Sequence, residues 1–289
     1  MRIGIDALLL RNLVSGVERS ALSFVESLTA FGREEYRVFV QSRLFGADVD
    51  PGDLAAIPAV MCRIPFGNRV FRVLYQQALL PCRCRGEGVD LLDGTAYVGS
   101  LFATVPTVVT VHDMIAFDFP SLCSGWSRVH YRAVLPAVLR KARAVVVPSE
   151  TTRDDILRRF PWAKAKIRIV PWGVRSAFRR VDDERFSAEV RRIYRLPERF
   201  MLFLSHIEPK KNLPALLKAL DILHSHGHEG LRLVVAGHRG WGWPEASQTI
   251  RNLGIEDSVV STGPVAEKHL PALYSMASVF VLPSLYEGF

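Results

Sequence analysis

Short β-branched runs alternate with amphipathic stretches along this chain, the alternation breaks once, and then it begins again. Strands are expected at Arg2–Asp6, Tyr36–Val40, Val60–Ile64, Val89–Leu92, Thr107–Val111, Ala144–Val147 and Ile167–Val170. Between several of them, helical patterns cover Val17–Ala30, Arg69–Leu80, Ser127–Ala142 and Thr152–Phe160. Such alternation is the mark of an α/β fold with a mainly parallel sheet buried on both faces. Residues 175–199 are dense in charge, with a short helical piece to Tyr194 and then Pro197, which reads as a domain junction. Strands then recur at Phe200–Ser205, Leu231–Ala236, Val259–Ser261 and Val279–Leu282, and helices at Leu213–Ser225, Pro244–Leu253 and Glu267–Ala277. Two successive α/β domains follow, residues 1–175 and 176–289, and a short-period solenoid is excluded.

The 289 residues suit two domains of roughly 100–200 residues each. With 49% hydrophobic and 23% charged residues, wholesale disorder is excluded. No apolar run approaches the ~18–20 residues of a membrane span, and Asp6 interrupts the stretch a signal peptide would need. Cys62, Cys82, Cys84 and Cys123 lack the pairing of zinc or redox motifs. A soluble protein of a reducing cytoplasm is expected. The formal charge of +8 is uneven: residues 1–176 hold 23 basic against 16 acidic side chains (+7), the remainder 14 against 13 (+1). An anionic partner for the first half is one reading, whether phosphate-bearing substrate, anionic membrane or nucleic acid; an arginine-rich codon bias is the other.

Four loops follow strands and carry polar residues. Ser15-Gly16-Val17 opens the first helix, where a glycine admits a phosphate to backbone N–H groups, or where Ser15 is a plain N-cap. His112, in Thr110-Val111-His112-Asp113, stands at the carboxyl end of a parallel strand; it can donate a hydrogen bond to a sugar hydroxyl, or cap the next turn with Asp113 as acceptor. Glu208-Pro209-Lys210-Lys211-Asn212 precedes a helix with Asn212 as candidate N-cap. Lysines there oppose the helix dipole unless an anion joins them, which favours a diphosphate site. Ser284 and Glu287 fit either a capping box or a carboxylate that accepts hydrogen bonds from substrate hydroxyls. His224, His226 and His228 read as helix-termination chemistry rather than a metal site.

Taken together, these segments resemble the retaining glycosyltransferases of family 4. Phe203 to Leu213 is similar to that family's G-x-x-E-P-[RK]-K-N-L segment, and Leu233 to Trp241 to its LVxAGxxGW stretch. Gly263-Pro264-Val265 through Tyr274 resembles G-x-V-x-x-x-x-L-x-x-L-Y, and Leu282 to Phe289 resembles the opening of E-x7-E. Thr110 to Asp113 through Phe119-Pro120, and Val147-Pro148-Ser149-Glu150, match in the first half.

The resemblance implies a GT-B fold of two Rossmann-like, doubly wound domains with the active site in the cleft between them, the second domain incomplete here. It places the nucleotide sugar on residues 176–289 and the acceptor mostly on 1–175. Lys211 would bind the donor phosphates, with Gly16 facing them from the other domain, and Gly237 and Val265 would lie near the base. His112 would contact the transferred sugar and Glu287 its hydroxyls. No metal or other cofactor is implied, because lysine and helix N-termini offset the leaving diphosphate. His206 stands where many relatives carry arginine, and a neutral imidazole is a weaker phosphate partner than a guanidinium. The second glutamate of E-x7-E would fall beyond Phe289, so a C-terminally truncated product is expected. If the common strand order 3-2-1-4-5-6 holds, Val279–Leu282 becomes an exposed apolar edge.

The expected activity is transfer of a hexose, mannose among the candidates, from a nucleotide sugar to a surface-polysaccharide or lipid-linked glycan. The expected place is the cytoplasm, with peripheral contact to the inner face of an anionic plasma membrane. The rival reading is an inactive remnant with weak nucleotide or partner binding. No nucleic-acid motif supports that class of partner.

Overall fold

In a computed structural model of the chain, the structure describes residues 1–10, 15–41, 58–64, 68–97 and 99–289. It separates into two compact units, Met1–Gly173 with Gly288–Phe289, and Val174–Glu287.

In the first unit, seven strands among the described residues form one sheet: β1 (Arg2–Asp6), β2 (Glu35–Gln41), β3 (Ala59–Cys62), β4 (Leu91–Gly94), β5 (Thr107–Thr110), β6 (Ala144–Val147) and β7 (Ile167–Ile169). Their spatial order is β3-β2-β1-β4-β5-β6-β7, and every pairing is parallel. Because parallel strands need crossovers, helices cover both faces, and two apolar layers flank the sheet. One is built on Val109, Leu135, Leu139, Val145 and Ile156, and another on Ile5, Ala21, Val25 and Val38. The helices start where side-chain caps occur: Ser15 forms a full capping box with Glu18 ahead of Gly16–Phe31, Ser124 caps Gly125–Lys141, and Ser149 caps Glu150–Arg159. The stretch expected as one helix over Arg69–Leu80 is two, Arg69–Ala78 and Leu80–Gly86, with Pro81 in the first turn of the second. Proline is tolerated there and disfavoured further in, so it marks the new start.

The second unit repeats the pattern with β8 (Phe200–Leu204), β9 (Arg232–Ala236), β10 (Val259–Gly263) and β11 (Val279–Phe280), in the parallel order β10-β9-β8-β11. Leu213, Leu216, Leu217 and Leu220 bury one face of the helix Leu213–Ser225 against Met201, Phe203, Leu233 and Val235. The last strand is two residues rather than the four expected, and as the edge it leaves Val279 and Phe280 46% and 41% exposed.

The first sheet also buries two acids. Asp6 and Asp93, at the carboxyl ends of the adjacent strands β1 and β4, are 3% and 8% exposed. Asp6 accepts from Gln76 Nε2 (2.5 Å) and Leu8 N (3.2 Å), whereas Asp93 Oδ1 has no partner among the described residues. Burial, with the nearby Asp6 carboxyl adding to it, pushes Asp93 up to about 7. A carboxyl raised in the folded state and ordinary in the unfolded one binds the extra proton when folded. Its stabilisation is therefore complete below pH ~4 and is lost as pH rises toward 7. Asp93→Asn should leave stability at pH 4 nearly unchanged and raise it at pH 8 by on the order of 2–4 kcal/mol. Urea unfolding at both pH values checks this; equal effects at the two would contradict the assignment.

Candidate active site

Four of the candidates, His206, Lys211, Gly237 and Glu287, lie at the carboxyl end of the second sheet. Strand β8 is apolar and buried, so it delivers the chain to a polar loop at the ligand-binding edge of the parallel sheet. The loop closes as a 3-10 turn, Pro209–Lys211, followed at once by the helix Leu213–Ser225. Asn212 is the N-cap residue of that helix, as expected, but it takes a left-handed conformation (φ 54°) and its side chain makes no capping bond. Its part is to turn the chain between the two helical pieces.

Lys211 Nζ donates to the Glu287 carboxylate, and their side chains are 16% and 34% exposed. The Leu285 N–H donates to the Lys210 carbonyl (2.8 Å), which fixes the segment carrying Glu287 against the loop carrying Lys211. The conflict of a lysine with the helix dipole thus has an internal answer, a carboxylate 76 residues further on. An ammonium has three donors, so Lys211 can keep this partner and still meet a second anion. The capping-box reading of Ser284 and Glu287 fails: no helix begins there among the described residues, and Ser284 Oγ is buried without a partner.

A second loop lies on the first. The Ile207 N–H donates to the His238 carbonyl (3.0 Å) and the Gly242 N–H to the Ile207 carbonyl (3.1 Å). That approach needs glycine. Gly237, directly after β9, has φ +120°, and a Cβ there would collide with the Ser205 carbonyl oxygen. A Cβ at Gly240 would stand 2.8 Å from His206 Nε2. His206 itself lies 3.8 Å from a Glu208 carboxylate oxygen, with Nδ1 buried and unpartnered among the described residues. The structure brings His206, Lys211, Gly237 and Glu287 to this edge. Val265 is half-buried and packs on the layer built from Leu202, Val234, Ala236 and Leu273.

In the first unit, His112 follows β5 and is 8% exposed. Its Nε2–H donates to the Thr95 carbonyl (2.9 Å), and the Thr95 hydroxyl in turn donates to the Asp6 carbonyl (2.8 Å). Burial holds the imidazole below its ordinary value, so it is neutral at pH 7. Its one N–H is therefore spent, and Nδ1 offers a lone pair. With that N–H engaged by Thr95, the ring atom left over is an acceptor rather than a donor. Asp113 is not its hydrogen-bond partner either; Asp113 Oδ1 accepts from the Ile115 N–H (3.1 Å) and opens the next short helix. Rings of Tyr97 and Trp172 lie 5.3 and 5.4 Å away, enclosing the imidazole in aromatic surface. Thr152 Oγ1 and Ser149 Oγ both donate to the Gly288 carbonyl, the former at 2.8 Å. Gly16 needs neither a special φ nor space for packing, since a Cβ there would meet nothing within 4 Å. The capping role of Ser15 is realised beside it.

His224 and His226 donate ring N–H groups to the Leu231 and Ile222 carbonyls at 2.9 and 2.7 Å, which is the termination chemistry expected of them. Among the described residues no group of three His, Cys, Asp or Glu side chains is placed to hold a metal ion, and no helix is long and apolar enough to cross a membrane. Sequence reasoning did not single out Thr95, whose carbonyl engages the His112 N–H; nothing local in the sequence joins the two.

The family model for Glycosyltransferase Family 4 matches residues 14–178, more than half of the chain. The chain belongs to that family. A second model, Glycosyl transferases group 1, matches residues 187–289. Among curated relatives, O-antigen chain mannosyltransferase B of Escherichia coli is 30% identical over 187 residues, covering 63% of this chain and 48% of its own length. The alpha-D-kanosaminyltransferase of Streptomyces kanamyceticus is 28% identical over 220 residues, covering 73% and 54%. The chain thus spans about half the length of these relatives. Anabaena HepE, solved in complex with UDP and glucose, superposes with a TM-score of 0.71 at 16% identity, over 99% of this chain and 75% of that one. That likeness establishes the GT-B fold for this family 4 chain.

Both the collision and the φ at Gly237 must be relieved if a methyl is added. Gly237→Ala should therefore cost roughly 2–4 kcal/mol of stability, read as a lower urea midpoint at unchanged slope. A neutral substitution would mean that the two loops do not lie as described.

Proposed function

We propose that this protein is a retaining glycosyltransferase that moves a hexose from a nucleotide sugar to a glycan or lipid-linked acceptor in polysaccharide biosynthesis. The observation that carries the reading is Lys211, an ammonium on the loop entering a helix, held by a single carboxylate. A donor diphosphate would take that ammonium and the positive end of the helix beyond it. As the bond from the anomeric carbon to the phosphate oxygen breaks, the charge gathering on that oxygen is offset by Lys211. The acceptor oxygen forms its bond on the same face, and its proton passes to the departing phosphate, which accounts for retention. Glu287, relieved of Lys211, would accept hydrogen bonds from hydroxyls of the sugar. Gly16, His206, Gly237 and Val265 complete the donor site in this reading, and the His112 lone pair would accept from a hydroxyl of the transferred sugar. The charge neutralisation is assigned to protein cations, with no step routed through a metal. Relatives named for mannose and kanosamine transfer support a hexose donor, with mannose as the first to try.

The first unit supports work at a membrane surface. Helix Arg69–Ala78 exposes Val70, Phe71 and Leu74 alongside Arg69, the composition of a helix that lies on anionic lipid. A cytoplasmic enzyme resting on the inner leaflet fits a lipid-linked acceptor.

Lys211→Ala in the full-length protein should lower kcat/KM by about 10²–10³-fold, the scale of losing one charge-stabilising donor, with the circular dichroism spectrum unchanged. The assay is donor hydrolysis and transfer against a panel of UDP- and GDP-sugars. Unaltered turnover in that variant would remove the phosphate role from Lys211.

A further inference from the structure

The loop after β10 is tied to a tyrosine that has no part in the site described above. β10 ends at Gly263, whose carbonyl accepts from the Gly237 N–H (2.8 Å), so the segment that follows emerges beside the loop after β9. A parallel sheet places such a segment at its ligand-binding edge. It runs through Pro264, Val265 and Ala266 and closes as a 3-10 turn, Glu267–His269, in which the His269 N–H donates to the Ala266 carbonyl (2.9 Å). The Ala266 N–H donates to the hydroxyl of Tyr194 (3.0 Å), the last residue of the helix Glu184–Tyr194 that precedes β8.

The same hydroxyl lies 3.0 Å from His269 Nδ1. His269 is buried, with the rings of Tyr194 and Phe186 against it at 5.6 and 5.8 Å. Burial, with the Lys268 ammonium adding to it and Glu189 opposing it, holds the imidazole below its ordinary value, so it is neutral at pH 7. A hydroxyl has one hydrogen to give and two lone pairs. Accepting from Ala266 and donating to Nδ1 uses that hydrogen; in the opposite sense it would be left over. The bonds form a closed circuit: Ala266 N–H to Tyr194, Tyr194 to His269 Nδ1, and the His269 N–H back to the Ala266 carbonyl. Ala266 is exposed, so water could satisfy its N–H equally well. Spending a tyrosine on it fixes the shape of the loop, which is what a segment that receives a ligand needs. Val265 and Tyr194 also pack on the same apolar layer.

We propose that Tyr194 is a positioning residue for the nucleotide: through Ala266 and His269 it holds residues 263–266 in the shape that receives the base. The proposal rests on the glycosyltransferase reading, in which Val265 lies near the base. Tyr194 touches no substrate; it sets the backbone that does. A free loop would lose conformational freedom at each binding event, and a loop already pinned does not.

The test is calorimetric titration of UDP, GDP, ADP and dTDP into the full-length protein. For whichever binds the parent, Tyr194→Phe should weaken binding by roughly three- to tenfold, the scale of one neutral hydrogen bond. Hydrogen exchange without nucleotide should quicken in that variant over residues 263–269 and stay as in the parent over β8 and β9. Rescue separates positioning from packing. Ala266 has φ −58° and ψ 138°, which proline adopts, and proline has no N–H to leave unmatched. Tyr194→Phe combined with Ala266→Pro should therefore recover binding to within about twofold of the parent. A tyrosine that only filled space would gain nothing from a rigid backbone on another element. Should Tyr194→Phe not fold, two variants reach the same hydroxyl from its other side. His269→Leu removes the acceptor and should weaken nucleotide binding, whereas His269→Gln still offers an oxygen and should keep it. Unchanged binding in Tyr194→Phe, exchange quickened throughout the unit, no recovery on adding Ala266→Pro, or equal binding by the two His269 variants would overturn the proposal. If the parent binds a nucleotide and Tyr194→Phe binds it equally, the positioning role alone fails; if the parent binds none of the four, the glycosyltransferase reading fails with it.

Discussion

A partly buried ammonium held by one carboxylate organises the loops at the carboxyl end of the second sheet. Lys211 and Glu287 lie 76 residues apart in the second unit, and their pairing fixes the position of a cation just ahead of a helix whose dipole repels it. At 16% exposure the lysine is screened less by salt than a surface charge would be. Removing either partner would leave the other charge uncompensated. On the proposed reading, a diphosphate would exchange one anion for another there, and so avoid the whole cost of stripping water from an unpaired lysine. The ligand-free pair keeps the cation in place at low cost until that exchange occurs.

The rest of the second unit serves that placement. Parallel strands buried on both faces deliver their polar loops to one edge, and the glycine at 237 lets the loop after β9 lie on the loop after β8. The first unit repeats the device with different chemistry. Its strand ends gather Asp6, Asp93, Thr95 and His112, a buried polar row in which backbone carbonyls set the roles. The Thr95 carbonyl fixes the His112 tautomer, and so decides that this residue accepts rather than donates.

Strand positions were legible in the sequence because two-sided burial demands uninterrupted β-branched runs, and Ala144–Val147 was read with its observed bounds. Helix Leu213–Ser225 was equally plain, since its leucines recur at helical spacing behind a proline in the first turn. Lys211 was legible as an anomaly, a cation where the helix dipole disfavours one. Its partner Glu287 was found as a separate candidate, but nothing local joins residues 76 positions apart. Asn212 was legible as the N-cap, but not the absence of its capping bond, since its left-handed backbone follows from the turn before it. His112 was legible at the end of a strand, but the engagement of its N–H was not, because the carbonyl that takes it belongs to Thr95 at another strand end. The raised Asp93 carboxyl escaped notice because burial is a tertiary property: the Asp6 carboxyl that adds to it comes from the neighbouring strand.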